Sequence, residues 1–274
     1  MRPVTAVTQA AELSVSGWIG CMPVKIKHKI ASQELYQSIR DYLPRDHSRH
    51  QSLECYLAGC IPMLPESARV LDLGCGEGNS IELFQRLSAG IVWRGVDLED
   101  SPEARQRLHG NENISIFNGV DLPYPDNSFD LIFCRQVLEH ARHPDALIAD
   151  ALRVLKPDGL FVGSVSYLEP YHSYSIFNFT PYGIVRVFAD AGFRLTEIRP
   201  GNDASAVMLR QMFNRSDILR PVWRRNFLYG IFAISGILLG LGHRERNFLK
   251  VQFSGHLLFS ARKPSFEQTR EIKE

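Results

Sequence analysis

Neither sign of charge prevails in this chain: 31 Lys and Arg stand against 30 Asp and Glu, and the formal net charge is +1. With no global field drawing it to polyanions, a nucleic-acid partner is not expected. Cysteine is sparse and odd in number, and Cys21, Cys55, Cys60, Cys75 and Cys134 form no Cys-x-x-Cys unit. His28, His47 and His50 keep no zinc-ligand spacing, so neither a disulfide framework nor a metal is expected, and the chain reads as reduced and cytoplasmic. A secretory h-region is lacking too: Thr5, Thr8, Gln9 and Glu12 interrupt the residues after Arg2, and no apolar run precedes Trp18-Ile-Gly-Cys21. There is no internal repeat and no low-complexity tract. The run Phe227–Gly242 is shorter than the roughly twenty apolar residues a spanning helix needs.

What is present suits one large α/β domain with additions. The 274 residues are 45% hydrophobic, enough to bury a full core. Up to about Pro65 the pattern is helical and polar, with Pro44, Pro62 and Pro65 as breaks. Short β-rich runs then alternate with helical spacing: strands at Arg69–Leu73, Ile91–Asp97, Ile114–Phe117 and Phe129–Cys134, and a helix over Asn79–Leu87. Pro144–Leu155 reads as a helix, Lys156-Pro-Asp-Gly159 as a stop and turn, and Leu160–Val165 as a fifth strand. Thr180-Pro181 opens a helix that Gly192 closes, Phe193–Ile198 is a sixth strand and Val251–Ala261 a seventh. The expected fold is a doubly wound, Rossmann-like seven-stranded sheet, mostly parallel with an antiparallel last strand. The expected division is a helical cap over 1–65, a core over 66–199, a hydrophobic insertion over 200–250, a last strand over 251–263 and a polar tail over 264–274.

The densest signal is Asp72-Leu-Gly-Cys-Gly-Glu-Gly78, where the first strand gives way to the first helix. Gly74, Gly76 and Gly78 let the backbone turn sharply and press against a ligand. The spacing is Gly-x-Gly-x-Gly rather than the Gly-x-Gly-x-x-Gly of dinucleotide sites. Asp72 just ahead of it would repel a phosphate and attract an ammonium or sulfonium.

Val70–Ser80 resembles motif I of class I S-adenosylmethionine-dependent methyltransferases. Gly95-Val-Asp97, Asp121–Asp130, Val137-Leu-Glu-His140 and Val154-Leu-Lys-Pro-Asp-Gly159 are similar to the later motifs of that family, in the same order. The likeness covers roughly residues 66–200 and is closest to the small-molecule branch that includes quinone-biosynthesis enzymes. It implies S-adenosyl-L-methionine as cofactor. Asp72 would hold the methionine amine, and the backbone of Gly74, Cys75, Gly76 and Gly78 would line the methionine and ribose. Asp97 would accept the ribose hydroxyls and Leu98 would pack on adenine. Asn118, beside Gly119, stands where the family often has Asp and would accept from the adenine amino group. Arg135 and Gln136 would lie near the methionine end.

The acceptor is expected to be a small molecule, methylated at a hydroxyl on an apolar, lipid or sugar compound. After the fourth strand there is neither an Asn-Pro-Pro-aromatic motif nor a Pro-Cys nucleophile of nucleobase methylation. A hydroxyl nucleophile benefits from a base, and His172 and His140 are the candidates, His172 preferred because it follows the fifth strand. Tyr171, Tyr174, Phe177 and Phe179 would wall the acceptor pocket or form core around it. The alternative function is a non-catalytic S-adenosylmethionine-binding interaction protein. Phe227–Gly242 reads either as a buried helix or as an interfacial anchor. In the second case Arg224, Arg225, Arg244 and Arg246 would meet headgroups, giving peripheral contact through 224–246 at the inner face of a membrane. Its apolar side chains point nearly all round a helix, which predicts a hydrophobic entrance for an apolar or membrane-borne acceptor.

Overall fold

A computed structural model describes residues 28–46, 52–101, 112–169, 173–214 and 226–265, with single positions 216, 218 and 221. Two helices, α1 (His28–Ile39) and α2 (Leu53–Cys60), precede β1 (Arg69–Leu73), α3 (Ser80–Leu87) and β2 (Val92–Asp97). Then come β3 (Ile114–Ile116), β4 (Phe129–Arg135), α4 (Pro144–Val154), β5 (Leu155–Ser166), α5 (Pro181–Asp190) and β6 (Arg194–Pro200). Three helices, α6 (Ala204–Met212), α7 (Phe227–Leu238) and α8 (His243–Gln252), lead into β7 (His256–Arg262).

The strands form one sheet in the order β3-β2-β1-β4-β5-β7-β6. β1 to β5 pair in parallel, and β7 runs antiparallel to both β5 and β6, as expected for the last strand. The central strands are apolar almost throughout because helices cover both faces. Alternation along them divides the core. Val70, Leu131, Phe133 and Val162 pack with α2 and with Phe84 of α3. Leu71, Leu73, Ile132, Cys134 and Phe161 pack on the other side with α4, α5 and α8. The chain crosses from β1 to β2 on one side and places β4 on the other, so the strand order reverses between β1 and β4. A crevice opens at that point beyond the carboxyl ends of the strands.

Local signals behave as their chemistry requires. The Thr180 hydroxyl accepts the Gly183 amide at 2.9 Å and starts α5, which has Pro181 in its first turn. Two expectations need correction. Val251 and Gln252 are the end of α8, and β7 starts only at His256, because Val251 buries its side chain from a helix with Phe248. Lys156–Gly159 does not end the chain's pairing; it is a bulge inside β5. Leu155 still pairs with Phe129 and Leu160 with Leu131, and Asp158 takes a left-handed φ of 60°. Lys156 Nζ anchors the bulge on both carboxylate oxygens of Asp130 at 2.8 Å.

The described part of the insertion is mainly helical and hangs on one carboxylate. Asp203 is fully buried. Its Oδ1 caps α6 by accepting the Ala206 amide at 2.7 Å, and its Oδ2 accepts the Leu228 amide of α7 at 3.1 Å. Its own amide donates to Asn226 Oδ1 at 2.9 Å. Tyr229 and Gly236 of α7 face inward, with the Tyr229 hydroxyl 2.7 Å from Ser254 Oγ. Replacing Asp203 with Ala strands two helix starts at once, so the variant should lose about 2 kcal/mol or more in urea unfolding. Amide exchange should rise at the start of α7 before it rises in the sheet. Unchanged stability would show that the shared cap is not what seats α7.

Candidate functional site

The chain between β1 and α3 forms the floor of the crevice. Gly74, Gly76 and Gly78 have φ of 70°, 55° and 86°, a region that side chains disfavour. At Gly74 space is the second reason, since a Cβ there would lie 2.4 Å from Val137 Cγ2. The Gly74 and Cys75 amides donate to the Val96 carbonyl at 2.8 and 3.1 Å, which ties the loop to the end of β2. Asp97 completes the tie. Its Oδ2 accepts the Gly76 amide and its Oδ1 the Leu98 amide, both at 2.6 Å, and the residue is 7% exposed.

The crevice is a cavity of about 440 Å³. Gly74, Gly76, Asp97, Leu98, Gly119, Arg135, Gln136 and His140 line it, so the fold brings eight of the sequence-derived positions together. Leu98 is an exposed apolar side chain there, and Ser173 and the exposed Tyr174 stand at the same opening. Four other positions lie behind or beside the cavity. Cys75 and Gly78 are buried in the turn. Asn118 builds the turn beside Gly119: its Oδ1 accepts the Val120 and Asp121 amides at 2.9 and 2.8 Å, and its Nδ2 donates to Asp121 Oδ2 at 2.7 Å. Asp72 is buried beneath the loop, where its carboxylate accepts from the Ser80 hydroxyl, which in turn accepts from Trp93 Nε1 at 3.0 Å. His172 and Tyr171 lie outside the described residues. Phe179 is buried core, while Phe177 is exposed.

Burial pushes the Asp72 carboxyl up to about 7; the Ser80 hydrogen bond and the Arg135 charge oppose the rise, and Asp97 adds to it. Arg135 itself pairs with Glu54 of α2 at 2.5 Å, so the N-terminal helices reach the rim of the crevice.

Behind Gln136 stands a group of polar residues, Glu139, Ser166 and Glu169, to which no spacing rule points. Glu139 is completely buried, and its Oε1 accepts from the Ser166 amide and hydroxyl at 3.2 and 2.9 Å. Among the described residues its Oε2 has no hydrogen-bond partner. Burial raises its pKa against the opposing hydrogen bonds from its own backbone amide and Ser166. Gln136 Nε2 donates to Glu169 Oε2 at 2.9 Å, and Ser166 Oγ lies 3.2 Å from the same oxygen. The Glu139 carbonyl accepts the Ile176 and Phe177 amides at 2.7 and 3.1 Å, which ties the segment after Tyr174 to the site. The signal in the sequence is an acidic residue enclosed by Leu138 and His140 within the Val137–His140 motif.

A family model described as a methyltransferase domain matches residues 71–163. Those residues carry a methyltransferase domain. The domain spans the glycine loop, the Asp97 corner, the Glu139–His140 turn and most of β5. A ubiquinone biosynthesis O-methyltransferase of Bradyrhizobium sp. (strain ORS 278) is 33% identical over 163 residues, which is 58% of this chain and 60% of that protein. Another, from Hahella chejuensis, is 36% identical over 110 residues, 36% of this chain and 43% of the relative. The chain thus spans about half the length of the curated relatives it matches. In fold it is similar to a putative sarcosine dimethylglycine methyltransferase from Galdieria sulphuraria, with TM-score 0.50 and 15% identity, covering 85% of this chain and 98% of that one.

Because the folded Asp72 carboxyl holds its proton up to about 7 and the unfolded one gives it up near the ordinary 3.8, the native state binds more protons between those values. Stability relative to an Asp72→Asn variant should therefore fall as pH rises from about 4 to about 7 and level off above. Urea titrations across that range measure it. A difference that stays flat would place the Asp72 carboxyl in contact with water.

Proposed function

We propose that the chain transfers a methyl group from S-adenosyl-L-methionine to a hydroxyl of a small-molecule acceptor, an apolar, lipid or sugar compound. The observation that carries this reading is the Asp97 corner: one carboxylate at the end of β2, beside a glycine loop and facing a cavity at the sheet's switch point. The residues fit the group. Asp97 accepts one main-chain amide on each oxygen and lines the cavity, where a ribose hydroxyl would reach it. Leu98 offers an apolar wall for adenine at the same rim. Carboxylates rather than a phosphate cradle line the approach, which suits a cation. An ammonium near Asp72 would lower that carboxyl's pKa again, so binding would release a proton. Asn118 serves differently from the first expectation. Both lone pairs of its carbonyl are taken by main-chain amides, so its part is to hold the turn that presents Gly119. Arg135 and Gln136 line the crevice and would lie near the methionine end.

Bound there, the cofactor supplies a methyl on a positively charged sulfur, a group that leaves with its bonding electrons. The chain's task is then to align an oxygen with the methyl–sulfur bond, remove its proton and keep water away. His140 lines the cavity and is one candidate for the proton; His172 is the other. Support for a hydroxyl acceptor comes from the relatives, whose name specifies O-methylation in ubiquinone biosynthesis. Support for an apolar acceptor comes from α7, whose outer face leaves Ile234 and Leu238 in water. The same face is where the peripheral membrane contact through 224–246 would form.

Calorimetry should show S-adenosylhomocysteine binding and no NAD binding. Asp97→Ala should weaken the former by about 1–3 kcal/mol; unchanged affinity would leave Asp97 a purely structural clamp. With a phenolic acceptor, loss of the correct histidine should lower turnover by about 10²–10⁴ while leaving cofactor affinity unchanged. A loss in His140→Ala and none in His172→Ala assigns the proton to His140, and the reverse assigns it to His172. Cofactor binding with no methylation of any acceptor would favour the non-catalytic alternative.

A further inference from the structure

The outer face of α7 is inverted for a helix in water. Projected down the axis, Phe227, Ile231, Ile234, Ile237 and Leu238 fall within an arc of about 120°, and all five are exposed, Ile234 by 64% and Leu238 by 80%. The opposite arc, with Tyr229, Phe232 and Gly236, packs on the protein, Phe232 against the Phe253 ring at 5.0 Å. Helix α6 packs beside α7 and ends in Met212, which is 76% exposed. A surface helix ordinarily turns its polar arc outward, and a contiguous apolar patch of this kind marks a contact.

The charge of the same stretch says with what. Residues 210–250 carry seven Arg and Lys250 against only Asp217 and Glu245, a surplus of +6. The whole chain carries +1, so everything else sums to −5. Arg246 brings this charge to α7 itself. Its stem crosses the helix at Gly236, where a Cβ would lie 2.6 Å from its Cγ, and its guanidinium lies at the surface beside His243. A second copy of the chain placed face to face by a two-fold axis would set this surplus against itself. Anionic headgroups neutralise it. The helix is too short to cross a bilayer, and among the described residues no helix is long and apolar enough to do so.

We propose that α7, with the exposed end of α6, docks in the plane of an anionic phospholipid surface, its apolar arc in the acyl boundary and the Arg246 guanidinium among the headgroups. This gives the membrane contact proposed above its lipid charge and its contact face, and it does not depend on methyl transfer. The test is flotation of the full chain with vesicles of phosphatidylcholine alone or with phosphatidylglycerol added, at low and high salt. The protein should float with the phosphatidylglycerol vesicles at low salt, and at least about tenfold less with phosphatidylcholine alone or at high salt. An Ile234→Asp, Leu238→Asp variant changes two exposed positions, so its melting temperature and S-adenosylhomocysteine affinity should match the parent while flotation is lost. Three results overturn the proposal: the parent remains in the soluble fraction with both vesicle types; it floats equally on phosphatidylcholine; or it sediments as a dimer that the double substitution dissociates. Failure to bind S-adenosylhomocysteine would instead sink the methyltransferase reading, whatever the flotation result.

Discussion

The Asp97 carboxylate is the constraint on which the crevice depends. β2 ends on it, and it receives one amide from the loop after β1 and one from the turn after β2. Two chain segments that diverge from neighbouring strands are thereby held to a single anion, and charge-assisted bonds of this length are among the stronger ones a protein makes. With the Val96 carbonyl taking two further loop amides, the glycine segment cannot relax toward the space above the sheet. That space stays open, and the parallel order of β2, β1 and β4 decides where it lies.

Other local rules are broken nearby, and they converge on the same edge. Gln136 has a φ of 49°, unfavourable for a residue with a side chain, immediately after β4. Its side chain reaches Glu169, while Ser166 stands between Glu169 and the buried Glu139. One oxygen of Glu139 has no hydrogen-bond partner among the described residues, a costly arrangement in a packed interior. Strain and unsatisfied polarity at one place, compensated by a well-packed sheet behind it, are what a site built for a ligand requires. The raised pKa of Glu139 follows from the same burial, since a neutral carboxyl is the form that such surroundings tolerate.

How much of this was legible in the sequence depended on the range of the interactions involved. Strand and helix positions were readable because periodicity is local: Leu131–Cys134 is apolar on both faces, and Thr180-Pro181 with Gly192 marks both ends of α5. The cavity-lining positions came from the family resemblance, whose motifs fall at the strand ends and in the glycine loop that border the crevice. What failed was long-range. Val251 looks like a strand residue until its place in α8 and its contact with the core are known. The Lys156–Gly159 turn is real, but only the register of β5 against β4 shows that pairing resumes on both sides of it. The partnership of Glu139 with Ser166 spans 27 residues, and no spacing rule points to it.

The insertion illustrates the limit most clearly, because composition posed a question there that only packing could answer. An apolar helix needs cover on most of its circumference, and the sequence could not say from what. Asp203 fixes the start of α7 and the Tyr229–Ser254 contact fixes its roll, so one arc is covered by the protein's own core. The other arc is left outside by the same bonds. Rolling the helix to hide Ile234 and Leu238 would bring Tyr229 and Gly236 outward, break the hydroxyl pair and displace the Arg246 stem from the groove that Gly236 provides. The exposed face is therefore held in place by buried polar contacts rather than left over from loose packing, which makes its lack of cover a property of the fold.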